Sequence, residues 1–288
     1  MPEITANTIK DLLEQNVRNF PDAVGFQIRQ DSQYRRYTFN QVGQLVSRLQ
    51  AALQKLGVGG GDRVILWSNN RPEWAISFLA ITSMGAVVVP LDAMLHEEEA
   101  RLLIADSGAK AAIVVSRLRN CFAASNIPAS AIIDLDELDN LPETDFLPAS
   151  CPTPKDLASL VYTSGTTGSP KGIMLTHGNL VANIKALDSL FDFGSRDNFL
   201  SVLPLRHAFE TTAGFLAPFS VGCCITYAAS LKSYQLLRDM QETGVTVMCG
   251  VPMLFQLFYD GIWREAESQG RRQLFSAAFF LASWLQKY

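Results

Sequence analysis

Apolar and polar positions along the chain alternate between the period of helices and the continuous runs typical of buried strands. From Thr38 to Gly57 apolar residues recur every three or four positions, which predicts an amphipathic helix. Thr38 and Gln41 form the expected capping box at its start, and Gly57 marks its end. The run GDRVILW at residues 61–67 then predicts a buried strand.

The same alternation continues along most of the chain. Helical patterns at 72–85 and 96–108 are each followed by a strand-like run, first AVVVPL and then KAAIVVS. Later helices are predicted near 178–191, 208–219 and 233–242, each followed by one of the runs FLSVLP, CCITYAA and VTVMCGV, and helical patterns extend from Pro252 to the end. Strands that alternate with helices predict an α/β fold of parallel-rich sheets layered with helices.

One segment breaks this rhythm. Acidic residues and four prolines replace the periodic pattern at 134–156. Such a composition predicts a loop or linker. It divides the chain into a first half, residues 1 to about 133, and a second half, about 157–288.

Composition excludes several classes of protein. The chain has 288 residues, 48% of them hydrophobic, which indicates a globular protein, and its net charge of −4 is not that of a nucleic-acid-binding protein. The acidic N-terminus is unlike a signal peptide, so we expect a cytoplasmic protein with reduced, mostly buried cysteines. Neither the cysteines nor the three histidines have the spacing of a metal site.

The uncharged stretch of residues 211–231 has nearly the length of a membrane-spanning helix. Pro218, Gly222 and scattered hydroxyl residues divide it into a helix-like half and a strand-like half. We therefore predict a buried core segment, and peripheral contact with a membrane remains an alternative.

The most informative stretch is TSGTTGSPKG, residues 163–172, which lies between two apolar runs. A flexible linker would have a similar composition. However, Pro170 stiffens the segment just before Lys171, and its glycines let backbone N–H groups approach a ligand. Five hydroxyl groups and one positive charge are the donors that a polyphosphate requires. The stretch is not a Walker A loop, because Pro170 precedes the lysine and a strand-like run follows it.

The longer sequence LVYTSGTTGSPKGIMLTH resembles the phosphate-binding signature of the adenylate-forming, or acyl-activating, superfamily. The motifs YTFNQV, GVGGGDRVILWSNNRPEW, GAVVVPLD and LPLRHAFE follow the order usual in that family. LPLRHAFETT and GVPMLFQLFYDGI are most similar to long-chain fatty acyl-CoA synthetases. The resemblance implies an enzyme that uses ATP and Mg²⁺ to convert a fatty acid to its adenylate and then transfers the acyl group to coenzyme A.

The resemblance also implies site residues. The phosphates of ATP would be bound by residues of the loop, namely Thr163, Ser164, Gly165, Thr166, Thr167, Gly168 and Lys171. His207 would act near the substrate carboxylate, although a histidine at a helix start can equally be satisfied by local hydrogen bonds. Phe209 and Val251 would line the acyl site, although ordinary core packing explains such apolar residues equally well. The resemblance implies no metal ligand in this chain. Two interpretations of Glu210 are open, a residue that supports the site from behind and an acid in the first turn of a helix, and the second is the simpler one.

Members of the superfamily continue well beyond this length. Their later Thr-Glu and Thr-Gly-Asp motifs do not occur in this sequence, nor does a small C-terminal domain with its catalytic lysine. We therefore expect an incomplete large N-terminal domain that makes no acyl-CoA alone and self-associates through uncovered apolar surface near LFSAAFFLASWL. Two alternatives are a non-catalytic, truncated module that binds nucleotide or acyl chains and an adenylation domain that loads a carrier protein.

Overall fold

A computed structural model describes residues 4–123, 125–144, 146, 151–163 and 171–285, with the backbone alone for 280–285. The chain divides into two compact units. The first comprises Met1–Ala229 and Asp239–Cys249, and the second comprises Ser230–Arg238 and Gly250–Tyr288.

Sheet A of the first unit has five strands in the order β11-β9-β10-β1-β2. Its strands are β1 (Val24–Gln30), β2 (Gln33–Thr38), β9 (Asn198–Ser201), β10 (Cys224–Tyr227) and β11 (Val247–Met248). β1 and β2 form an antiparallel hairpin, whereas β1, β10, β9 and β11 are mutually parallel. The sheet therefore joins the N-terminal hairpin to strands from the second half of the sequence.

Sheet B has six strands in the order β6-β5-β3-β4-β7-β8. Its strands are β3 (Arg63–Trp67), β4 (Val87–Leu91), β5 (Ala111–Val114), β6 (Ile132–Asp134), β7 (Leu157–Thr163) and β8 (Lys171–Thr176). All neighbours are parallel except β7 and β8, which are antiparallel. The parallel-rich α/β fold expected from the sequence is confirmed.

Helices account for most of the remaining chain. The α-helices of the first unit are α1 (Ile9–Asn19), α2 (Phe39–Lys55), α3 (Pro72–Ser83), α4 (Glu97–Ser107), α5 (His177–Leu190) and α6 (Ala217–Ser220), while α7 (Ser233–Thr243) has residues in both units. Three 3-10 helices occupy Ser116–Phe122, Ala129–Ala131 and Leu135–Asn140, and Glu210–Leu216 is a π-helix. The second unit also contains α8 (Pro252–Ser268) and α9 (Arg272–Leu285).

α3 is the central helix of the first unit, and every one of its residues is buried. It packs on α1 and α2 and on strands of both sheets. Its Trp74 and Phe78 stack with their ring centres 5.5 Å apart, and both rings meet Phe215 edge-on. Phe215 in turn contacts Phe26 of β1, so this aromatic cluster connects α3, the π-helix and sheet A.

Most predicted elements are present within one to three residues of their expected bounds. The capping box of Thr38 and Gln41 is confirmed, and Gly57 has a φ of +75°, which suits glycine just after a helix end. Three predictions were incomplete. No helix or strand was expected before Thr38, where α1, β1 and β2 lie, and the helix near 208–219 is mostly a π-helix. Within the stretch predicted to be a loop, residues 135–140 form a 3-10 helix.

The uncharged stretch of residues 211–231 belongs to the core, as predicted. It contains the fully buried side chains of Phe215, Phe219 and Tyr227. Among the residues that the structure describes, no helix has both the length and the apolar character needed to cross a bilayer.

All five cysteines are free thiols, as expected. They are less buried than predicted, however. Cys223 alone is fully buried, Cys151 is exposed, and the other three are intermediate.

The second unit exposes many apolar side chains. In α8, Met253 is 81% exposed, and in α9, Leu274 is 71% exposed. Phe275 and Phe279 of α9 pack edge-on against Trp263 of α8, so the two helices meet through aromatic rings that stay partly exposed. Self-association through the exposed apolar surface stays a prediction.

His177, the first residue of α5, is fully buried and connects α5 to the start of α1. Its Nδ1 accepts a hydrogen bond from the Ile9 N–H at 3.2 Å, while its Nε2 has no hydrogen-bond partner among the described residues. Burial lowers the pKa of His177 to about 4, against a smaller opposite effect of nearby carboxylates. The folded protein therefore holds this imidazole neutral at pH values where the unfolded chain would protonate it.

This difference predicts an acid-sensitive stability. Because the folded pKa lies below the unfolded value of about 6.5, the free energy of unfolding falls as pH drops from about 6.5 towards 4, by at most about 1.4 kcal/mol per pH unit. Urea unfolding between pH 4 and 7 would measure this slope. His177→Gln should reduce it, whereas the same change at the exposed His96 should not. Equal slopes in wild type and His177→Gln would contradict the assignment.

Candidate functional site

The candidate site begins at the carboxyl ends of three neighbouring strands of sheet B. β3, β4 and β7 are parallel and adjacent, so their carboxyl ends lie at one edge. Asn70 lies three residues after β3, Asp92 directly follows β4, and Thr163 is the last residue of β7. Open α/β sheets bind their ligands at this edge.

The hydroxyl-rich stretch connects β7 to β8 at the same edge. Thr163 and Lys171 are opposite each other in the antiparallel ladder, and both side chains are exposed. The remaining predicted phosphate-binding residues, Ser164, Gly165, Thr166, Thr167 and Gly168, lie outside the described residues. Two of the seven predicted ligands of the phosphates therefore stand at adjacent positions at the base of this connection.

Two contacts fix the base of the connection. Tyr162, just before Thr163, donates a hydrogen bond from its hydroxyl to the carboxylate of Asp106 in α4. Burial and this carboxylate raise the pKa of Tyr162, so the phenol stays protonated and remains a donor. Opposite Tyr162 stands Gly172, where a Cβ atom would come within 2.8 Å of the Leu160 side chain. A side chain at position 172 would have to displace Leu160, so glycine favours the close pairing of β8 with β7.

The segment of residues 203–207, which contains His207, is held at the end of β3 by one amide side chain. Asn70 Nδ2 donates a hydrogen bond to the Leu203 carbonyl at 2.6 Å, and Asn70 Oδ1 accepts one from the Leu205 N–H at 3.0 Å. Thr211 contributes a further bond from its hydroxyl to the Leu205 carbonyl. Asn70 is thus a positioning residue that connects sheet B to a segment following β9 of sheet A.

An ion pair makes a second connection, to the end of β4. Arg206 lies 2.7 Å from Asp92, and both side chains are about one quarter exposed. The next residue, His207, is exposed. Partial burial and the positive charge of Arg206 lower the pKa of His207, against the opposite effect of Asp92. The His207 imidazole is therefore neutral at pH 7.

The strand register relates this ion pair to the hydroxyl-rich stretch. Val88 of β4 is paired with Ser159 of β7 in a parallel ladder. Counting four residues onward places Asp92 level with Thr163, and neighbouring strands lie about 4.8 Å apart. Arg206 and Asp92 thus hold the segment of His207 next to the start of the predicted phosphate-binding loop. The structure brings together two candidate parts that are 44 positions apart in the sequence (207 − 163).

Glu210 has a more unusual environment than the sequence indicated. It is in the first turn of a helix, as expected, but that helix is a π-helix and the side chain is only 1% exposed. Its Oε1 accepts a hydrogen bond from the Ser201 hydroxyl at 2.7 Å, and its Oε2 has no partner within the described part of the chain. Burial raises the pKa of Glu210 to about 7, despite the opposing effect of the Ser201 hydrogen bond.

The predicted acyl-site residues are only partly brought together. Phe209 is 55% exposed and lies two residues after His207, in the same turn of chain. Val251 is the N-cap of α8 and belongs to the second unit. A shared acyl site for these residues stays a prediction.

Sequence reasoning missed Asn70, Asp92 and Ser201 as parts of the site. Asn70 falls within the quoted motif GVGGGDRVILWSNNRPEW, and Asp92 is the last residue of the quoted motif GAVVVPLD. A strand followed directly by a polar side chain was the available signal, since such positions line the carboxyl edge of a parallel sheet.

The described residues do not by themselves make a site for Mg²⁺. Within them, no three His, Cys, Asp or Glu side chains are clustered so that they could hold a metal ion. Near the predicted phosphate-binding loop, Thr163 offers a hydroxyl oxygen that could bind a metal ion, and the carboxylate of Asp92 is already paired with Arg206. We therefore derive no chemical step through a metal ion.

The class of protein follows from this fold and from comparison with known families. The AMP-binding enzyme family matches residues 13–286, and the chain belongs to this family. The resemblance inferred from the sequence motifs is thereby confirmed.

Curated proteins of this family are similar to nearly the whole chain. Long chain acyl-CoA synthetase 7, peroxisomal, of Arabidopsis thaliana is 29% identical over 96% of this chain and 44% of its own length. The long-chain-fatty-acid–CoA ligase FadD15 of Mycobacterium bovis is 30% identical over 94% of this chain and 48% of its own length. The chain thus spans about half the length of the curated relatives that it matches.

Solved structures show the same fold. The inhibitor-bound N-terminal domain of FACL13 from Mycobacterium tuberculosis has a TM-score of 0.78 at 26% identity, and the match covers 87% of this chain and 64% of that one. A fatty acyl CoA synthetase of the same organism also has a TM-score of 0.78, at 24% identity, over 88% of this chain and 51% of that one. At that identity the second likeness shows the fold alone.

Proposed function

We propose that this chain forms the ATP- and acid-binding part of an AMP-forming acid:CoA ligase whose substrate is a long-chain fatty acid. The acid would be activated as its acyl-adenylate, with loss of pyrophosphate, and the acyl group would then pass to the thiol of coenzyme A. Two relatives whose names specify long-chain acyl-CoA synthesis support this choice of acid and acceptor.

One observation carries the proposal. The pair of Arg206 and Asp92 holds the segment of His207 at the end of β4, level with Thr163, where the hydroxyl-rich stretch begins. A carboxylate beside His207 and a triphosphate bound by that stretch would then lie at the same edge of sheet B. Such proximity is what a two-substrate displacement at phosphorus requires.

Each part has a chemical task in the first step. A carboxylate oxygen of the acid attacks the α-phosphorus, and the bond from that phosphorus to pyrophosphate breaks. Negative charge therefore increases on the β- and γ-phosphates. Backbone N–H groups, the hydroxyl of Thr163 and the ammonium group of Lys171 would stabilise this charge, because they are donors already in place before the reaction.

His207 would orient the acid. A neutral imidazole can donate one N–H to a carboxylate oxygen, which fixes the direction of attack without cancelling the charge of the nucleophile. The lowered pKa of His207 is suited to this role, since a fully charged imidazolium would pair with the carboxylate and weaken it as a nucleophile.

Lys171→Ala tests the proposal. In the native polypeptide that contains these 288 residues, loss of one charge-assisted contact to a phosphate should cost about 1.5–3 kcal/mol of transition-state stabilisation. The rate of fatty-acid-dependent ATP–pyrophosphate exchange should then fall about tenfold to a hundredfold. The melting temperature should hardly change, because the Lys171 side chain is exposed.

Two further variants and a control sharpen this test. Thr166→Val should act in the same direction, since it removes a donor and keeps the shape, and Gly168→Val should do more harm because valine disfavours positive φ and blocks approach of the backbone. Lys155→Ala removes another exposed lysine outside the stretch and should leave exchange unchanged. If Lys171→Ala and Thr166→Val both exchange at the wild-type rate, the stretch is a linker and the proposal fails.

A further inference from the structure

Glu210 is a buried carboxyl group at the carboxyl ends of sheet A. Ser201 and Tyr227 are the last residues of β9 and β10, and Cys249 directly follows β11; these three strands are parallel neighbours. Burial and, secondly, the charge of Glu210 raise the pKa of both Tyr227 and Cys249. Among the groups at these strand ends, the Ser201 hydroxyl forms a hydrogen bond with Glu210.

Few polar contacts offset the burial of the Glu210 carboxyl group. Oε1 accepts a hydrogen bond from the Ser201 hydroxyl, whereas Oε2 is buried and accepts none from any residue that the structure describes. In the part of the chain that the structure describes, no lysine or arginine forms a salt bridge with it. A buried carboxyl with a single donor is costly to retain in its charged form.

The hydrogen bond to Ser201 is one end of a directed chain. The Ser201 hydroxyl has one proton, which it donates to Glu210, so its oxygen is free to accept from Asn70 Nδ2 at 3.3 Å. The same Nδ2 donates to the Leu203 carbonyl, and this orientation leaves Oδ1 to accept the Leu205 N–H. The acceptor at Glu210 therefore keeps the Ser201 oxygen available to Asn70 Nδ2, in the amide orientation that Leu203 and Leu205 require.

We propose that Glu210 is a positioning residue for His207: by accepting the Ser201 proton, it keeps the Ser201 oxygen directed at Asn70 and thereby steadies the segment of residues 203–207. Without an acceptor at position 210, the Ser201 hydroxyl would have no fixed direction, and Asn70 Nδ2 would lose a fixed acceptor. Asn70 would then be held by its bonds to the segment alone, and the position of the segment would be less well defined. The purpose of this arrangement rests on the proposed function, since His207 would orient the acid there.

The π-helix provides the space for the carboxyl group. A Cβ atom on Gly214, four residues later, would lie 2.5 Å from the Glu210 carboxyl carbon. Position 214 therefore has to be glycine if the carboxyl group is to lie over the helix and reach Ser201. π-Helical turns are frequent at functional sites.

The test follows the imidazole of His207 in the 288-residue chain, which has only three histidines. With ¹⁵N-labelled histidine, ring signals are recorded by NMR from pH 5.5 to 9 and assigned with His96→Gln and His177→Gln. In wild type the His207 signal should show its own protonation and a second step near pH 7 as Glu210 ionises. In Glu210→Gln the second step should disappear while the high-pH position is retained, because the amide oxygen still accepts from Ser201.

Loss of the acceptor should have a different effect. Glu210→Leu and Ser201→Ala should each displace or broaden the His207 signal over the whole pH range. If Glu210→Leu fails to fold by circular dichroism, Ser201→Ala and Glu210→Gln decide the question. Identical His207 titrations in wild type, Glu210→Gln and Ser201→Ala would overturn the proposal.

Gly214→Ala provides an independent test of the position of the Glu210 carboxyl group. The added methyl group should displace the Glu210 carboxyl and disturb the His207 signal as Glu210→Leu does. In the double variant Gly214→Ala, Glu210→Ala the methyl group has room, so the melting temperature should be higher than the two single losses together predict. Additive losses would contradict the close contact. Because no nucleotide or acid is used, these results are independent of the pyrophosphate-exchange test.

Discussion

Phe215→Ala should lower the free energy of unfolding by about 3–5 kcal/mol, the range for removal of a fully buried aromatic ring. Phe215 has no exposed surface, and its ring lies 5.7–6.3 Å from those of Phe26, Trp74, Phe78 and Phe219. These rings come from β1, α3 and α6, so neighbours on several elements cannot all move to fill the cavity. Urea unfolding at pH 7 would measure the loss.

Phe209→Ala is the matched control. It removes the same side chain one residue before the same π-helix, but Phe209 is 55% exposed. The free energy of unfolding should therefore change by no more than about 0.5 kcal/mol. Similar losses for the two variants would show that the ring cluster is not the source of stability that the structure indicates.

Arg71→Met should lower the free energy of unfolding by about 3 kcal/mol, because it removes the hydrogen-bonded cation of the buried Glu73 carboxylate and leaves only the more distant Arg35, at 3.7 Å, beside it. Arg71 Nε lies 2.7 Å from Glu73, and the Glu73 side chain is only 3% exposed. The second oxygen of Glu73 accepts from the Tyr37 hydroxyl at 2.7 Å, and Arg71 also binds Asp136. The value is at the lower end for buried pairs because Arg71 itself is 23% exposed.

The same group gives a signature in the pH dependence. Burial by itself would raise the pKa of Glu73, but the hydrogen bonds and charge of Arg71 outweigh it and leave the pKa below its usual value. Since the folded pKa is depressed, this stability is present above about pH 4.5 and is lost as pH falls through the folded value. In Arg71→Met the free energy of unfolding should therefore decrease less as pH falls below about 4.5. As a control, Arg101→Met, at an exposed pair with Glu97, should change the free energy of unfolding by less than about 1 kcal/mol. An equal decrease at low pH in wild type and Arg71→Met would contradict the pairing.

Local patterns were sufficient to predict most of the fold. The capping box at Thr38, the apolar stripe of α2 and the buried strand runs are signals that neighbouring residues create. The hairpin of β1 and β2 was not predicted, because it lies at the edge of the sheet and its second strand, QYRRYT, is mostly polar. The π-helix was not predicted either, because seven residues are too few to distinguish its period from that of an α-helix.

The motifs of the site could be predicted from the sequence, but the residues that hold those motifs in place could not. The hydroxyl-rich stretch and His207 belong to continuous motifs, and the sequence alone indicated both. Asn70 bonds to residues more than 130 positions later, and Arg206 bonds to Asp92 across more than 110 positions. Such pairs depend on how the two sheets approach each other, which no local periodicity reports. The burial of Glu210 is of the same kind.

The strand order of sheet A also has a consequence for biosynthesis. β1 pairs with β10, and Gln27 is 199 positions before its partner Thr226, whereas the strands of sheet B are contiguous from Arg63 to Thr176. At about 5–20 residues per second, a ribosome needs about 10–40 seconds to synthesise that interval. During this delay sheet B can form, while β1 has only β2 as a neighbour. A nascent chain therefore carries an open strand edge at Val24–Gln30 until β10 emerges, and it is there that a chaperone would be needed.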